Sequence, residues 1–300
     1  MRISVYLPWL MAAALALATP ALARRLQPRL AATALAATAT ATAVATTWGL
    51  VLLAAALPEH TPPVEERTST RPVPLLISLA AGGALLFIGQ RARRTVTARR
   101  ATTAALRRVC NLCADAGELA VTDDPAVYAF AVPARPGRIL ISRGLLTTTT
   151  NTQRRVVIAH ERAHLRQRHS LLRAATDLAA ATNPLLTGTR NAVAFLVERA
   201  ADEAAAHTVQ SRPDAARALA DVALRTDCEG EWPGYPRGRP SALAFHRHAV
   251  LDRIAALHQP PIRSVVALAP LCFIGSTLTL AAASDATLAL SRVAARVLGI

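Results

Sequence analysis

The segment Val156-Val157-Ile158-Ala159-His160-Glu161-Arg162-Ala163-His164 holds two imidazoles four residues apart, with a carboxylate beside the first. On an α-helix a four-residue step is about 400° of rotation and one turn of rise, so His160 and His164 project from one face and can reach a single ion. Glu161 sits next to that face, where its carboxylate meets a water rather than the ion and can act as a general base. A catalytic zinc site takes three protein ligands and leaves a fourth position open. A histidine of the HExxHxxGxxH kind does not supply the third, because position 167 is Gln and position 170 is Ser. Glu198, in Glu198-Arg199-Ala200-Ala201-Asp202, is the best candidate, far enough downstream for a reversed helix to bring it back across the first. Asp202 shares its helix face and suits the role of accepting the second N–H of a ligand histidine.

The other candidate groups are weaker. His207 follows Asp202 by five residues and could approach the site as a transition-state donor, although a helix surface is its plainer place. His169 lies five residues beyond His164, about 140° round a continuing helix, and is expected to be a solvated neighbour. Cys110 and Cys113 form a CxxC with no second pair to complete a zinc knuckle, so they read as two small residues one helical turn apart, with no disulfide framework.

The histidines need a helix, and the sequence provides its start: Thr150 and Gln153 match a capping box for a helix running through His164. Val127 to Val132 and Arg138 to Ser142 read as two short strands joined by a hairpin connection. Pro184 and Gly188 punctuate a second helical stretch, and a third beginning near Arg190 carries Glu198 and Asp202.

Around this region the chain looks like a membrane protein. Apolar residues make up 52% of it and gather in long blocks near the two ends. Residues 3–23, 31–57 and 73–90 are three candidate spans, the second with no charge over 27 positions, and 264–290 is a fourth interrupted only by Asp285. Residues 58–72 form a polar loop with mixed charges. Arg24, Arg25 and Arg29 follow the first block, and Arg91, Arg93, Arg94, Arg99, Arg100, Arg107 and Arg108 follow the third, so residues 91–263 are expected in the cytoplasm. The block at 3–23 ends in Ala21-Leu22-Ala23, like a signal-peptide cleavage site, but its short leading segment carries only Arg2, which favours a retained span. The net charge of +15 does not argue for nucleic acid: all 34 basic residues are Arg, and much of the excess flanks apolar spans.

The runs Gly137-Arg138-Ile139-Leu140-Ile141-Ser142-Arg143-Gly144-Leu145-Leu146, VVIAHERAHLRQRHSLL, NPLL and ERAADEAA resemble the membrane zinc peptidases of the beta-lactam sensor-transducer (antirepressor) family, over roughly positions 100 to 225. The HtpX and CAAX prenyl protease family is a more distant likeness. The resemblance implies a mainly α membrane protein of about four spans, with a cytoplasmic α+β, gluzincin-like zincin domain between the third and fourth. It also implies Zn2+ held by His160, His164 and Glu198, with Glu161 as base and Asp202 in support. The implied substrate is a cytoplasmic protein such as a transcriptional repressor, with a membrane quality-control protease or a non-catalytic signalling protein as rivals. Antibiotic sensor-transducers carry a penicillin-binding domain after the last span, whereas residues 291–300 are only a short tail, so a short form without a sensor is expected.

Overall fold

Uncharged runs of Ala, Leu, Thr and Val build α1 (Leu7–Arg25) and α2 (Pro28–Ala55), which turn back on each other at Leu26 and Gln27. The third long helix, α3 (Leu75–Leu112), is the next element among the residues that the computed structural model describes, namely 7–55, 75–112, 117–229 and 250–260 with helical positions Thr277, Ala281, Ser284 and Thr287. All three helices are long and apolar enough to cross a membrane. The span expected at 73–90 is only the first half of α3, so the domain boundary expected at 91 falls inside a helix about 57 Å long. The span expected at 264–290 lies outside the described residues apart from those four positions, one of which, Thr287, accepts a hydrogen bond from the Trp48 indole at 2.7 Å.

A three-stranded sheet follows, with β1 (Leu119–Thr122), β2 (Ala129–Val132) and β3 (Arg138–Ser142) in the order β1-β3-β2. The two expected strands pair antiparallel, with Ala131 opposite Ile139, while β1, not expected, runs parallel to β3. One face packs Val127, Ile139 and Ile141 against Val157, Ile158 and Leu165 of the HExxH helix. The other packs Ala120, Val132 and Leu140 against Cys110, Leu106 and Val109 at the end of α3. Full burial of side chains such as Ile139 and Ile141 is worth about 1.5–3 kcal/mol each and fixes β3, with β2 paired to it, alongside the helix.

Five further helices complete the described fold: α4 (Arg143–Thr148), α5 (Asn151–Arg166), α6 (His169–Thr182), α7 (Thr187–Val209) and α8 (Arg212–Glu229), with a 3-10 turn at Pro184–Leu186 between α6 and α7 and a short helical stretch at 250–258. The helix expected near Arg190 begins three residues earlier. Gly144 is required at the β3–α4 corner: a Cβ there would lie 1.9 Å from the Pro125 carbonyl oxygen. The α6–α7 pair is not set apart from the apolar helices. Ala179, Leu186, Val193, Leu196 and Val197 share one buried cluster with Ala12, Leu15 and Leu22 of α1 and Ala32, Leu35 and Ala39 of α2.

Candidate metal centre

Helix α5 starts where its cap dictates. Thr150 Oγ1 accepts from the Gln153 N–H, and Gln153 Oε1 accepts from the Thr150 N–H at 2.8 Å. Gln153 Nε2 also donates to Asp221 at 2.6 Å, tying α5 to α8. Two turns on, His160 and His164 face α7, which crosses antiparallel to α5 and presents Glu198.

Three donor atoms converge there. His160 Nε2 lies 3.1 Å from His164 Nε2, and Glu198 Oε2 lies 3.5 Å from the first and 3.7 Å from the second. Metal–ligand bonds of about 2.0–2.1 Å at tetrahedral angles put ligand atoms about 3.3 Å apart, so this triangle has the size that a zinc ion requires. Two imidazoles and one carboxylate are also the donor set of a three-ligand catalytic site.

Asp202 lies on the far side of His160, its Oδ1 3.0 Å from Nδ1, so an Nδ1–H donated to it leaves Nε2 directed at the triangle. The partner of Asp202 was not legible in the sequence. Arg253, 51 residues away, donates from Nε and Nη2 to the two carboxylate oxygens at 2.7 Å each, and its Nη1 lies 3.6 Å from Glu198 Oε2. Glu198 Oε1 has a second cation, Arg173 Nη1, at 3.5 Å.

The charges reinforce one another. Burial disfavours ionised Glu198 and Asp202, but His160 and His164 beside Glu198, and Arg253 beside Asp202, hold both carboxyls below their usual range. Burial likewise disfavours the His160 imidazolium, yet bonding to Asp202 and Glu198 prevails and raises it to about 10. Arg253 is desolvated too, and its two carboxylates hold it firmly protonated.

His169 departs from the expectation of a solvated neighbour. Helix α5 ends at Arg166, Arg168 adopts the left-handed conformation (φ 51°), and His169 opens α6, so the 100° step per residue does not carry across the break. The ring is turned inward, 1% exposed, with Nδ1 3.0 Å from His164 Nδ1. Burial and the neighbouring His164 push its pKa down to about 3, and the Nδ1 of a neutral His169 can accept an Nδ1–H of His164 as Asp202 does that of His160. The sequence signal would have been a third histidine after the Gln167–Arg168 break.

Glu161 stands outside the donor triangle. Its Oε2 accepts the Ala131 N–H of β2 at 2.7 Å, its Oε1 has no hydrogen-bond partner among the described residues, and its charge acts on His160. His207 is exposed on α7, its carbonyl accepting from Gln210 Nε2, and it is not among the residues brought together here.

Residues 97–190 match the model of peptidase family M48. M48 peptidases are zinc metallopeptidases, and the match takes in His160, Glu161 and His164 while ending eight residues before Glu198. With the apolar N-terminal helices, the M48 match supports a membrane metallopeptidase, and it does not choose between the antirepressor and HtpX–CAAX likenesses. Neither a curated protein nor a solved structure matches the chain.

Proposed function

We propose that this protein is a multi-pass membrane zinc endopeptidase whose cytoplasmic active site uses His160, His164 and Glu198 as ligands and Glu161 as general base. The observation that carries this is the triangle of His160 Nε2, His164 Nε2 and Glu198 Oε2, of zinc-binding size, with Glu161 next to it but not in it. Zinc bound there would polarise a scissile carbonyl and lower the pKa of a water toward neutrality.

The chain's own residues supply the rest. Asp202 and His169 fix the tautomers and ring planes of His160 and His164 through their Nδ1 atoms. The Ala131 N–H holds Glu161 Oε2, and Oε1 takes the proton of the attacking water and passes it to the leaving amide nitrogen. Strand β2 lies at an edge of the sheet, with the Ala131 N–H directed at Glu161 rather than at β3. An extended peptide laid along that edge would run past Glu161, which favours a protein substrate over a small molecule. The arginine clusters at the α1–α2 turn and within α3 favour a cytoplasmic substrate, and a regulator such as a transcriptional repressor fits that compartment.

Metal analysis of the purified protein tests this. About one zinc per chain is expected, and each of His160→Ala, His164→Ala and Glu198→Ala should lose it, because two ligands do not make a three-ligand site. Full zinc content in Glu198→Ala would move the third ligand elsewhere.

A further inference from the structure

The α6–α7 pair reaches far into the apolar layer. Asn183, fully buried at its tip, donates from Nδ2 to Thr46 Oγ1 at 3.3 Å. Thr46 lies two residues past the centre of the uncharged stretch 31–57, about 3 Å along the helix, so the tip stands near the middle of any bilayer that α2 crosses. The returning limb is shallower. Thr189 Oγ1 lies 3.0 Å from Thr19 Oγ1, and Thr19 is six residues, about 9 Å, from the charged end of α1 at Arg25.

From Ala174 to Thr189 the chain carries one charge, Asp177, and that is paired with Arg99 of α3. The large side chains turned outward are apolar: Leu171 and Leu178, seven residues apart on α6, and Leu185 in the turn that follows are 59%, 40% and 46% exposed, and the one small polar side chain exposed with them is Thr187. Hydrocarbon offers no hydrogen bonds, so every polar group placed in it must be satisfied by protein. Here the polar side chains are: Thr176 donates to the Leu172 carbonyl, Thr182 to that of Ala179 and Thr187 to that of Pro184, while Asn183 Oδ1 accepts the Leu185 N–H. Arg190, next to Thr189, lies on the shallow limb, where a long side chain reaches the interface.

We propose that α6, the Pro184–Leu186 turn and the start of α7 form a re-entrant hairpin that enters the bilayer from the side of the arginine clusters, reaches its midplane and returns, with the Leu171–Leu178–Leu185 stripe facing lipid acyl chains. Helix α6 is 14 residues, about 21 Å, and the half-thickness of a hydrocarbon core is about 15 Å. His169 at its base, and His164 beside it, therefore lie at the headgroup level. If the site is a peptidase, which rests on the function proposed above, its scissile bond lies close to the membrane surface, and the substrate class is the membrane-proximal segment of a protein.

The test needs neither zinc nor activity, so it stands or falls apart from the peptidase reading. The unaltered full-length protein is reconstituted in phosphatidylethanolamine–phosphatidylglycerol vesicles whose acyl chains carry a diazirine, irradiated and mapped by mass spectrometry; a parallel sample receives a water-soluble carbene probe. Residues 174–189 should take the lipid probe as strongly as the exposed face of α1, while exposed Leu224 on α8 takes only the aqueous one. Aqueous labelling of Leu178 and Leu185 would overturn the proposal, and so would labelling by neither probe, which would mean that protein covers the stripe.

Discussion

Asp202→Ala removes a carboxylate that is 5% exposed and serves two partners, so its effects on stability and on metal binding can be separated. Arg253, with 12% of its side chain exposed, loses both of its 2.7 Å bonds and, among the described residues, keeps Glu198 at 3.6 Å as its ion-pair partner. Breaking a buried ion pair from one side costs about 3–5 kcal/mol, and the remaining Glu198 contact puts the loss at the lower end. His160 meanwhile loses the acceptor at Nδ1, a change of the kind that weakens metal affinity about 10- to 100-fold. Adding Arg253→Leu removes the orphaned guanidinium, so most of the stability should return, because apolar replacement of a whole buried pair is often neutral. Zinc affinity should stay low in the double variant. Thermal unfolding in the presence of chelator reads the first effect, and competition with a fluorescent zinc chelator reads the second. Unchanged zinc affinity in Asp202→Ala, or affinity restored by Arg253→Leu, would refute the assignment of Asp202 as the group that orients His160.

Two further outcomes follow from the same site. His169→Leu should weaken zinc binding about 10- to 100-fold, and His169→Asp, which restores an acceptor, should recover part of it; chelator competition checks both. His160 is held as an imidazolium up to about pH 10 by Asp202 and Glu198, so zinc binding at pH 7 must release the Nε2 proton. Affinity should fall about tenfold for each unit of pH lost, and calorimetry in buffers of different ionisation enthalpy should count about one proton from this residue.

What the sequence revealed was local. The Thr150–Gln153 cap, the i,i+4 histidines and the two hairpin strands depend on neighbours within a few residues, and each is present in the fold. Glu198 and Asp202 could be named because a helix returning across α5 must offer something to the open side of the histidines. The parts that stayed hidden depend on distant segments or on a break in a helix. Nothing local says that Arg253, rather than another of 34 arginines, meets Asp202 across 51 residues. His169 is turned inward by the left-handed Arg168, a helix break that no residue type at that position announces. The strand Leu119–Thr122 is four residues long and depends on its parallel pairing with β3, which has no local signature. The arginines following residue 90 resemble the start of a separate domain, yet α3 continues through them, and Arg173, Asp177 and Arg190 disguised a hairpin that packs on α1 and α2.

The most direct test of the account is the turnover of Glu161→Gln on a quenched-fluorescent unfolded protein substrate, measured against wild type at equal zinc content. Glu161 contributes no atom to the donor triangle, so the variant should bind zinc as wild type does. Gln preserves the side-chain shape and can still meet the Ala131 N–H through its carbonyl, so the fold should be kept. An amide neither accepts a proton from water nor donates one onward at neutral pH, and the rate should fall about 100-fold to 10,000-fold. Cleavage at the wild-type rate by the zinc-loaded variant would contradict Glu161 as the base.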